Sequence, residues 1–271
     1  MFLDMDNRYP NQIVLIVAYI GKLPHYINLF VETCKYNPSV DWIIFSDQIS
    51  PENKAGNVKF IKMTIRDIEE LIYNKLKLRP NITKGYKLCD FRPAYGIIFK
   101  DYIKGYDFWG HTDLDMIVGD IRKFITSNML ENYDVVSADE RRMCGPFTLF
   151  RNCAKINELY KEHKNYEDIF KSDKHYAFDE KGFSEVLAQA QRKELIRCLF
   201  RFFHRRGSRI KETFIWRNGK LIAQDGNREI IFLHLRPWIN SFGRLGNGSL
   251  PFKWHEAKNG WGFTKGNFYL L

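Results

Sequence analysis

The chain has 271 residues, enough for one large domain or two small ones, and its formal net charge of +10 indicates an anionic partner. With 45% hydrophobic and 15% aromatic residues it can bury a substantial core, which excludes an intrinsically disordered chain. Five cysteines without a Cys-x-x-Cys pair indicate reduced thiols in a cytosolic protein, and exclude a disulfide framework or zinc knuckle. We expect neither a cleaved signal peptide nor a membrane span, since the longest early apolar run covers only residues 13–20.

The first part of the chain predicts a parallel sheet. Apolar, β-branched runs at 13–20, 41–47 and 58–63 are typical of strands that are buried on both faces. Apolar residues at helical spacing predict helices at 25–35 and 64–78. The order of these elements predicts an α/β fold with a mostly parallel central sheet flanked by helices.

The ends of the first two strands carry the first candidate binding residues. Ligands of open α/β sheets sit beyond the carboxyl ends of the strands, where Ala18, Tyr19 and Asp47 fall. An aspartate there can accept hydrogen bonds from a base or a ribose. Capping of a turn is the alternative role for Asp47.

The segment Lys87-Leu-Cys-Asp90-Phe-Arg92-Pro93 predicts the start of a helix, because proline suits a first helical turn. Lys87 and Arg92 flank that start, and a helix N-terminus with basic neighbours favours a phosphate or a ribose. Asp90 is a candidate cap. A capped helix with solvated flanks is the alternative interpretation.

Two aspartates one residue apart, Asp113 and Asp115, follow the aromatic pair Phe108-Trp109. In a strand, side chains two residues apart point to the same face, so the two carboxylates would converge. Converging carboxylates suit a divalent cation such as Mg²⁺ or Mn²⁺, which can carry a diphosphate. A solvated turn is the alternative.

A second acidic pair, Asp179 and Glu180, follows a helix predicted over residues 153–170 and stands at a predicted helix start. Helix capping and catalysis both remain open for Asp179. Capping explains Glu180 less well.

Residues 192–211 contain eight basic residues and one acid, and four of the basic residues recur every fourth position. This pattern predicts a basic amphipathic helix suited to an anionic membrane surface. A helix packed on the core with a solvated basic face is an alternative, and a nucleic-acid contact is a weaker one because no nucleic-acid motif accompanies it.

The last part of the chain predicts a hairpin and a further strand. Asn218-Gly219 is typical of a two-residue hairpin turn within residues 213–223. His234 ends a predicted strand and is followed by Arg236-Pro237-Trp238. Imidazole is a suitable third ligand beside two carboxylates, although a histidine in a strand is more often structural.

Taken together, three motifs resemble the nucleotide-sugar glycosyltransferases of the GT-A fold. They are Asp113-Leu114-Asp115, the Lys87–Pro93 segment and His234-Leu-Arg236-Pro237-Trp238. The last is similar to the His-x-x-Gly-x-x-Lys-Pro-Trp element of glycogenin-like and bacterial lipopolysaccharide galactosyltransferases, shortened and without its glycine. The motif order resembles bacterial capsular-polysaccharide transferases over about residues 11–240.

The resemblance implies roles for these residues. Asp115 and His234 would ligate Mn²⁺ or Mg²⁺, with Asp113 on the metal or the ribose. Lys87 and Arg236 would neutralise phosphate charge. A nucleotide pocket would include Ala18, Tyr19, Asp47, Asp90 and Arg92.

The acidic pair would lie near the sugar and the acceptor. If the enzyme inverts, a base is required, with Glu180 first and Asp179 second; if it retains, none is required. The shortened histidine motif puts a retaining assignment in doubt.

The expected organisation is a core at 1–190, a basic helical insertion at 191–212 and a C-terminal part at 213–271 that completes the donor and acceptor site. The predicted function is a metal-dependent hexosyltransferase acting on a nucleotide-sugar donor, UDP-linked, and a glycan or lipid-linked acceptor in surface polysaccharide synthesis. The predicted location is cytoplasmic, peripheral on the inner face of a membrane, and no nucleic-acid partner is expected.

A non-catalytic membrane or polyanion adaptor on a degenerate transferase fold is the alternative function. A nucleotidyltransferase is a third option, disfavoured because no Gly-rich triphosphate loop follows the first strand.

Overall fold

The computed structural model describes residues 10–201, 205–206, 213–224, 227–236, 250, 252–264 and 267–271. Its strands, in chain order, are β1 (Ile13–Tyr19), β2 (Val40–Ser46), β3 (Val58–Lys62), β4 (Phe108–Thr112), β5 (Met116–Val118), β6 (Val135–Ser137), β7 (Phe147–Arg151), β8 (Cys198–Phe200), β9 (Arg205–Arg206), β10 (Thr213–Arg217), β11 (Lys220–Ala223), β12 (Arg228–Glu229), β13 (Phe232–His234), β14 (Trp261–Thr264) and β15 (Asn267–Leu270).

The helices lie mainly in the first two thirds of the chain. They are α1 (Ile27–Lys35), α2 (Ile65–Leu76), α3 (Tyr95–Ile98), α4 (Ile121–Phe124), α5 (Ser127–Asn132), α6 (Ala154–Asn157), α7 (Tyr166–Lys171) and α8 (Gly182–Arg192), with 3-10 helices at Gly85–Ala94, Leu159–Glu162 and Trp254–Asn259.

The described strands form three sheets. The central sheet has seven strands in the order β3-β2-β1-β4-β7-β6-β8, and β3, β2, β1 and β4 run parallel. Strand β7 runs antiparallel to β4 and β6, and β8 runs parallel to β6. Two apolar clusters pack against this sheet, so it is covered on both faces. The α/β class with a mostly parallel central sheet, as expected for a GT-A-like fold, is confirmed.

A five-stranded antiparallel sheet, β12-β11-β10-β14-β15, carries its own apolar core, which includes Trp216 and Trp261. The predicted hairpin is confirmed: Arg217 pairs with Lys220 across Asn218 and Gly219. Both turn residues have positive φ, 48° and 78°, the conformation that a two-residue turn of this type requires. A small third sheet, β5-β13-β9, contributes to the site described below.

The first three strands and first two helices match the predicted positions within a few residues. Helix α2 begins at a reciprocal capping arrangement, in which Thr64 accepts from the Asp67 amide and the Asp67 carboxylate accepts from the Thr64 amide. These elements depend on apolar periodicity and local caps, and both are visible in the sequence.

Two helix predictions were wrong. The continuous helix over residues 153–170 is broken into α6, a 3-10 turn and α7. The helix expected to begin at Pro93 is preceded by a ten-residue 3-10 helix, Gly85–Ala94, that contains this proline.

The prediction of a basic amphipathic helix over residues 192–211 was also wrong for the part of that segment that the structure describes. Helix α8 ends at Arg192, and Cys198–Phe200 form β8, which extends the central sheet beside β6. None of the basic residues spaced by four lies within β8, whose three residues Cys198, Leu199 and Phe200 are apolar, so the basic spacing carried no information on the element that forms here. Residues 202–204 and 207–211 lie outside the described residues.

Within the described chain, no helix combines the length and the apolar character needed to cross a bilayer.

Candidate functional site

A cavity of about 920 Å³ opens where β1 and β4 end. Segments distant in sequence meet there, namely the loop after β1, the first 3-10 helix, the bend after β4, and the loops before α8 and after β13. The predicted site residues among its lining are Ala18, Tyr19, Arg92, Asp113, Asp115, Asp179, Glu180, His234 and Arg236. This is the position at which open α/β sheets bind ligands.

The two aspartates occupy a bend between β4 and β5 rather than a strand, which corrects the geometry expected for them. Leu114 between them is 2% exposed and packs in the core, and all three residues border the cavity. Although the backbone bends here, ligand atoms of Asp113 and Asp115 lie within 4.8 Å of each other, so the two carboxylates converge as expected.

His234 reaches the aspartates through sheet register. Strand β13 pairs antiparallel with β5, and this pairing sets His234 opposite Met116, the residue after Asp115. The next backbone amide, that of Leu235, donates to the Asp115 carbonyl at 2.8 Å. Main-chain hydrogen bonds thus hold a histidine from late in the chain against the aspartate bend.

The side chains of Asp113, Asp115 and His234, called the metal trio below, offer ligand atoms that lie within 4.8 Å of one another. His234 Nε2 is 3.3 Å from Asp115 Oδ2 and 3.7 Å from Asp113 Oδ2. This nitrogen is buried and makes no hydrogen bond of regular geometry with the described residues. Two carboxylates and an imidazole are a donor set that suits Mn²⁺ or Mg²⁺, so the residues fit the predicted ion.

The charges within the trio are strongly interdependent. Burial acts to lower the pKa of His234, but its contact with the Asp115 carboxylate and the charge of Asp113 outweigh burial and raise that pKa. Burial raises the pKa of Asp113, with Arg92 opposing the shift and Asp115 adding to it. A cation in this position would relieve the repulsion between the two carboxylates.

Arg92 connects the trio to the acidic pair. Its guanidinium forms ion pairs with Asp113 and, at 3.0 Å, with Asp179, and it donates to the Gly145 carbonyl at 2.8 Å. The planar, forked guanidinium can serve several acceptors at fixed angles. Arg92 therefore bridges one metal-trio carboxylate and one acidic-pair carboxylate, and both of these carboxylates line the cavity.

The acidic pair lies in the loop before α8 and caps no helix, since the residue at the start of α8 is Lys181. Burial raises the pKa of Asp179 to about 6, with Arg92 opposing the shift and Glu180 adding to it. Glu180 is more accessible, and Arg142 lies 3.7 Å from its carboxylate. Asp179 is thus a carboxyl group that changes charge near neutral pH.

Arg236 follows β13 and lines the cavity beside Tyr86. Its Nη1 donates to the Tyr86 hydroxyl at 2.8 Å, and its guanidinium lies 5.1 Å from the centre of that ring. The side chain is exposed on the open side, where an anion can reach it. Pro237 and Trp238 of the same motif lie outside the described residues.

Three predicted site residues lie outside the lining of the cavity as far as the structure describes it. Lys87 is 1% exposed and Asp90 is fully buried, and the two form an ion pair at 2.9 Å. The phosphate role of Lys87 and the nucleotide role of Asp90 do not fit these positions, because both groups are engaged inside the protein. Asp47 accepts hydrogen bonds from the Gly21 amide and the Gln48 side chain, which corresponds to the turn-capping alternative.

Sequence reasoning missed several lining residues, among them Tyr26, Tyr86 and His175. Tyr26 ends the turn before α1 and is 2% exposed, and burial together with the Asp115 charge raises its pKa. His175 lies against Tyr86, with ring centres 4.4 Å apart. No motif marks these residues, since only the packing of separate segments brings them to the cavity.

The chain resembles solved structures only remotely. Two solved structures of the galactosyltransferase LgtC, one in complex with donor and acceptor sugar analogs and one of the active-site mutant Q189E, are similar at 12% and 14% identity. Each alignment covers 62% of this chain and 71% of the other, with a TM-score of 0.38. No curated protein matches the sequence.

One family profile matches residues 15–238, which span the cavity, the metal trio and the acidic pair. The chain therefore belongs to DUF6625, a family of unknown function.

Proposed function

We propose that the protein is a metal-dependent glycosyltransferase of the hexosyltransferase type, which takes a sugar from a nucleotide diphosphate donor, UDP-linked, to a glycan or lipid-linked acceptor. The observation that carries the proposal is the metal trio at the strand ends, which lines the same cavity as the acidic pair. Arg92 connects the two groups. A transferase of this kind needs to hold a diphosphate at one wall and an acceptor hydroxyl at the other.

The metal trio would hold Mn²⁺ or Mg²⁺ through Asp113, Asp115 and His234. Such an ion supplies charge stabilisation for the departing nucleoside diphosphate. Arg236, exposed at the same wall, would pair with phosphate oxygens. Its hydrogen bond to Tyr86 keeps the guanidinium beside the trio before the donor arrives.

The nucleoside would lie against the end of β1, where Ala18 and Tyr19 line the cavity. The volume of about 920 Å³ lies toward the upper end of pockets that enclose small ligands and would accommodate a donor together with part of an acceptor. Tyr19 donates its hydroxyl to the Lys22 carbonyl at 3.0 Å, which holds the loop after β1 in place.

The acidic pair would bind the acceptor, and we assign the acceptor proton to Asp179. A general base works best when its pKa is close to the operating pH, and the pKa of Asp179 is about 6. This reverses the order expected from the sequence, in which Glu180 came first. Glu180, more accessible and beside Arg142, would contact the acceptor hydroxyls.

Isothermal titration of UDP, UDP-glucose and UDP-galactose into the protein, with and without Mn²⁺, tests the proposal. Binding that requires Mn²⁺ in the wild type and is lost in Asp115→Ala is the expected result. Asp101→Asn is the matched control, because its carboxylate is 70% exposed and pairs with Lys75 away from the cavity. If UDP, its sugars and the corresponding GDP-sugars all bind equally with and without Mn²⁺, or none binds, the proposal is wrong.

The adaptor alternative required a basic amphipathic helix over residues 192–211. The described part of that segment contains β8 instead, so the alternative loses the feature that motivated it. Contact with an anionic membrane surface remains a prediction from charge alone.

A further inference from the structure

The acidic pair lies in residues 172–181, called the acidic loop below, which have no regular secondary structure. The buried side chains of Lys87 and Asp90 hold the backbone of this loop. Lys87 and Asp90 belong to the 3-10 helix Gly85–Ala94, which also carries Arg92. The proposed chemistry leaves Lys87 and Asp90 unused, although a buried ion pair is costly to desolvate and therefore requires a specific explanation.

Lys87 uses all three of its ammonium protons within the protein. Its Nζ donates to the Asp90 carboxylate at 2.9 Å, to the Ile169 carbonyl at 2.6 Å and to the Lys174 carbonyl at 2.6 Å. The two carbonyls lie at the end of α7 and early in the acidic loop. Lys87 thus binds the point at which the chain leaves the helix and enters the loop.

Asp90 binds the same loop further along. Its carboxylate accepts the backbone amides of Tyr176 at 3.0 Å and of Phe178 at 2.9 Å. Ala177 between them has φ of 52°, a left-handed conformation that is unfavourable for alanine. Backbone amides flanking such a residue converge on one anion, so the Asp90 carboxylate sustains a loop shape that the local sequence disfavours.

The residue after this turn is Asp179, and its carboxylate meets Arg92 from the same 3-10 helix. The 3-10 helix therefore binds the loop backbone through Lys87 and Asp90, and it binds the Asp179 side chain through Arg92. Phe178 anchors the turn from the other side, with its ring 5.8 Å from Phe170.

We propose that Lys87 and Asp90 are positioning residues that hold the backbone of residues 172–181, so that Asp179 and Glu180 face the metal trio at the distance that sugar transfer requires. The role rests on the glycosyltransferase function proposed above. The pair touches neither donor nor metal, so its loss should affect turnover and leave donor binding intact.

Asp90→Asn tests this role, because the amide keeps one oxygen for the loop amides and removes the charge that Lys87 faces. We expect Mn²⁺-dependent UDP binding unchanged within about twofold, as for a separate site. UDP release from UDP-glucose or UDP-galactose with water as acceptor should fall on the order of 10- to 100-fold, the cost of a misplaced reacting group. Hydrogen exchange should accelerate at the amides of Tyr176 and Phe178.

Asp134→Asn is the matched control. Asp134 also combines an ion pair, to Arg151 at 3.0 Å, with a backbone amide bond, from Arg197 at 2.9 Å, and it lies outside the cavity lining. It should lower neither turnover nor protection at the two loop amides. Equal loss of turnover in Asp90→Asn and Asp134→Asn would overturn the positioning role, since it would indicate a general loss of folded protein.

The outcomes separate the two proposals. If the wild type binds Mn²⁺ and UDP and releases UDP, and Asp90→Asn does so at the same rate, the positioning role is wrong and the proposed function stands. If the wild type binds no UDP with Mn²⁺, both proposals are wrong. If Asp90→Asn does not fold, hydrogen exchange of the wild type decides: slow exchange at the Tyr176 and Phe178 amides supports the role, and exchange as fast as in an unfolded chain overturns it.

Discussion

The two walls of the cavity are built in different ways. The metal trio lies at the ends of strands, where β4 ends and where β13 pairs with β5, so ladder hydrogen bonds determine its geometry. The acidic pair lies in an irregular loop with a left-handed alanine, and buried side chains of a separate helix hold it. One wall therefore derives its rigidity from the sheet, whereas the other depends on a few individual contacts.

Substitution of a metal-ligating residue in the trio should lower activity more than any other change considered below. Asp115→Asn removes a charge from the trio and is expected to reduce Mn²⁺ affinity by more than about 100-fold, since even residues behind metal ligands account for 10- to 100-fold. UDP release from UDP-sugars should fall to background. Titration with Mn²⁺ and a coupled UDP assay measure both effects, and a variant with normal Mn²⁺ affinity would contradict the assignment of the trio.

Substitutions in the acidic pair should lower turnover and leave donor binding unchanged. Asp179→Asn is expected to lower UDP release from UDP-sugars by about 10²- to 10⁴-fold, the usual contribution of a general base, and to leave Mn²⁺-dependent UDP binding intact.

The same variant tests the pH dependence. Because the pKa of Asp179 is about 6 and the base acts when deprotonated, wild-type turnover should rise with pH through about 6 and level off above it. This acidic limb should disappear in Asp179→Asn and persist in Glu180→Gln. A limb that persists in Asp179→Asn and disappears in Glu180→Gln would return the base to Glu180.

Arg92 forms ion pairs with Asp113 of the metal trio and Asp179 of the acidic pair, so Arg92→Lys should affect both readouts. A lysine ammonium cannot reach Asp113 and Asp179 with the forked geometry of a guanidinium. Mn²⁺ affinity and UDP release should each fall on the order of tenfold, as for other partners behind a metal site. A change in Mn²⁺ affinity alone, or in UDP release alone, would show that Arg92 supports only the metal trio or only the acidic pair.

The smallest effect is expected at Gly145, whose added Cβ would overlap the Glu180 carboxylate. In Gly145→Ala the flexible Glu180 side chain would move aside, and UDP release should fall by about tenfold or less, without a change in Mn²⁺ affinity. Gly56→Ala is the control, because nothing lies within 4 Å of the Cβ that it would add. Equal rates of UDP release in the two variants would contradict the proposed contact between Glu180 and the acceptor.

Much of the sheet and part of the site followed from sequence patterns. The runs at β1 and β2 are buried along most of their length, and such strands leave an uninterrupted apolar signal. Strand β3 lies at the sheet edge and is only half-buried, yet its apolar residues were enough to predict it. The Asp113–Asp115 spacing predicted two carboxylates on one side, and this survived the replacement of the expected strand by a bend. His234 was predicted as their third partner from its position and its ligand chemistry, and the structure brings it to them.

Lys87 and Arg92 show where this reasoning failed. Both are basic residues near one proline, so the sequence predicted the same phosphate-facing environment for both. The structure buries Lys87 under the acidic loop and points Arg92 into the cavity, because the 3-10 helix presents them to different neighbours. Similarly, the four-residue basic period predicted a helix, but the strand that forms in this segment, β8, contains none of the basic residues and follows from its pairing with β6.

Local periodicity and residue chemistry were enough to predict the α/β class, the parallel core strands and the presence of two acidic pairs. Which charged groups meet depended on the packing of distant segments. That packing placed Asp113 between His234 and Arg92, and it made Lys87 and Asp90 supports of a loop some eighty residues away. Contacts over that separation depend on how helices and loops pack on the sheet, and packing leaves no periodic signal in the chain.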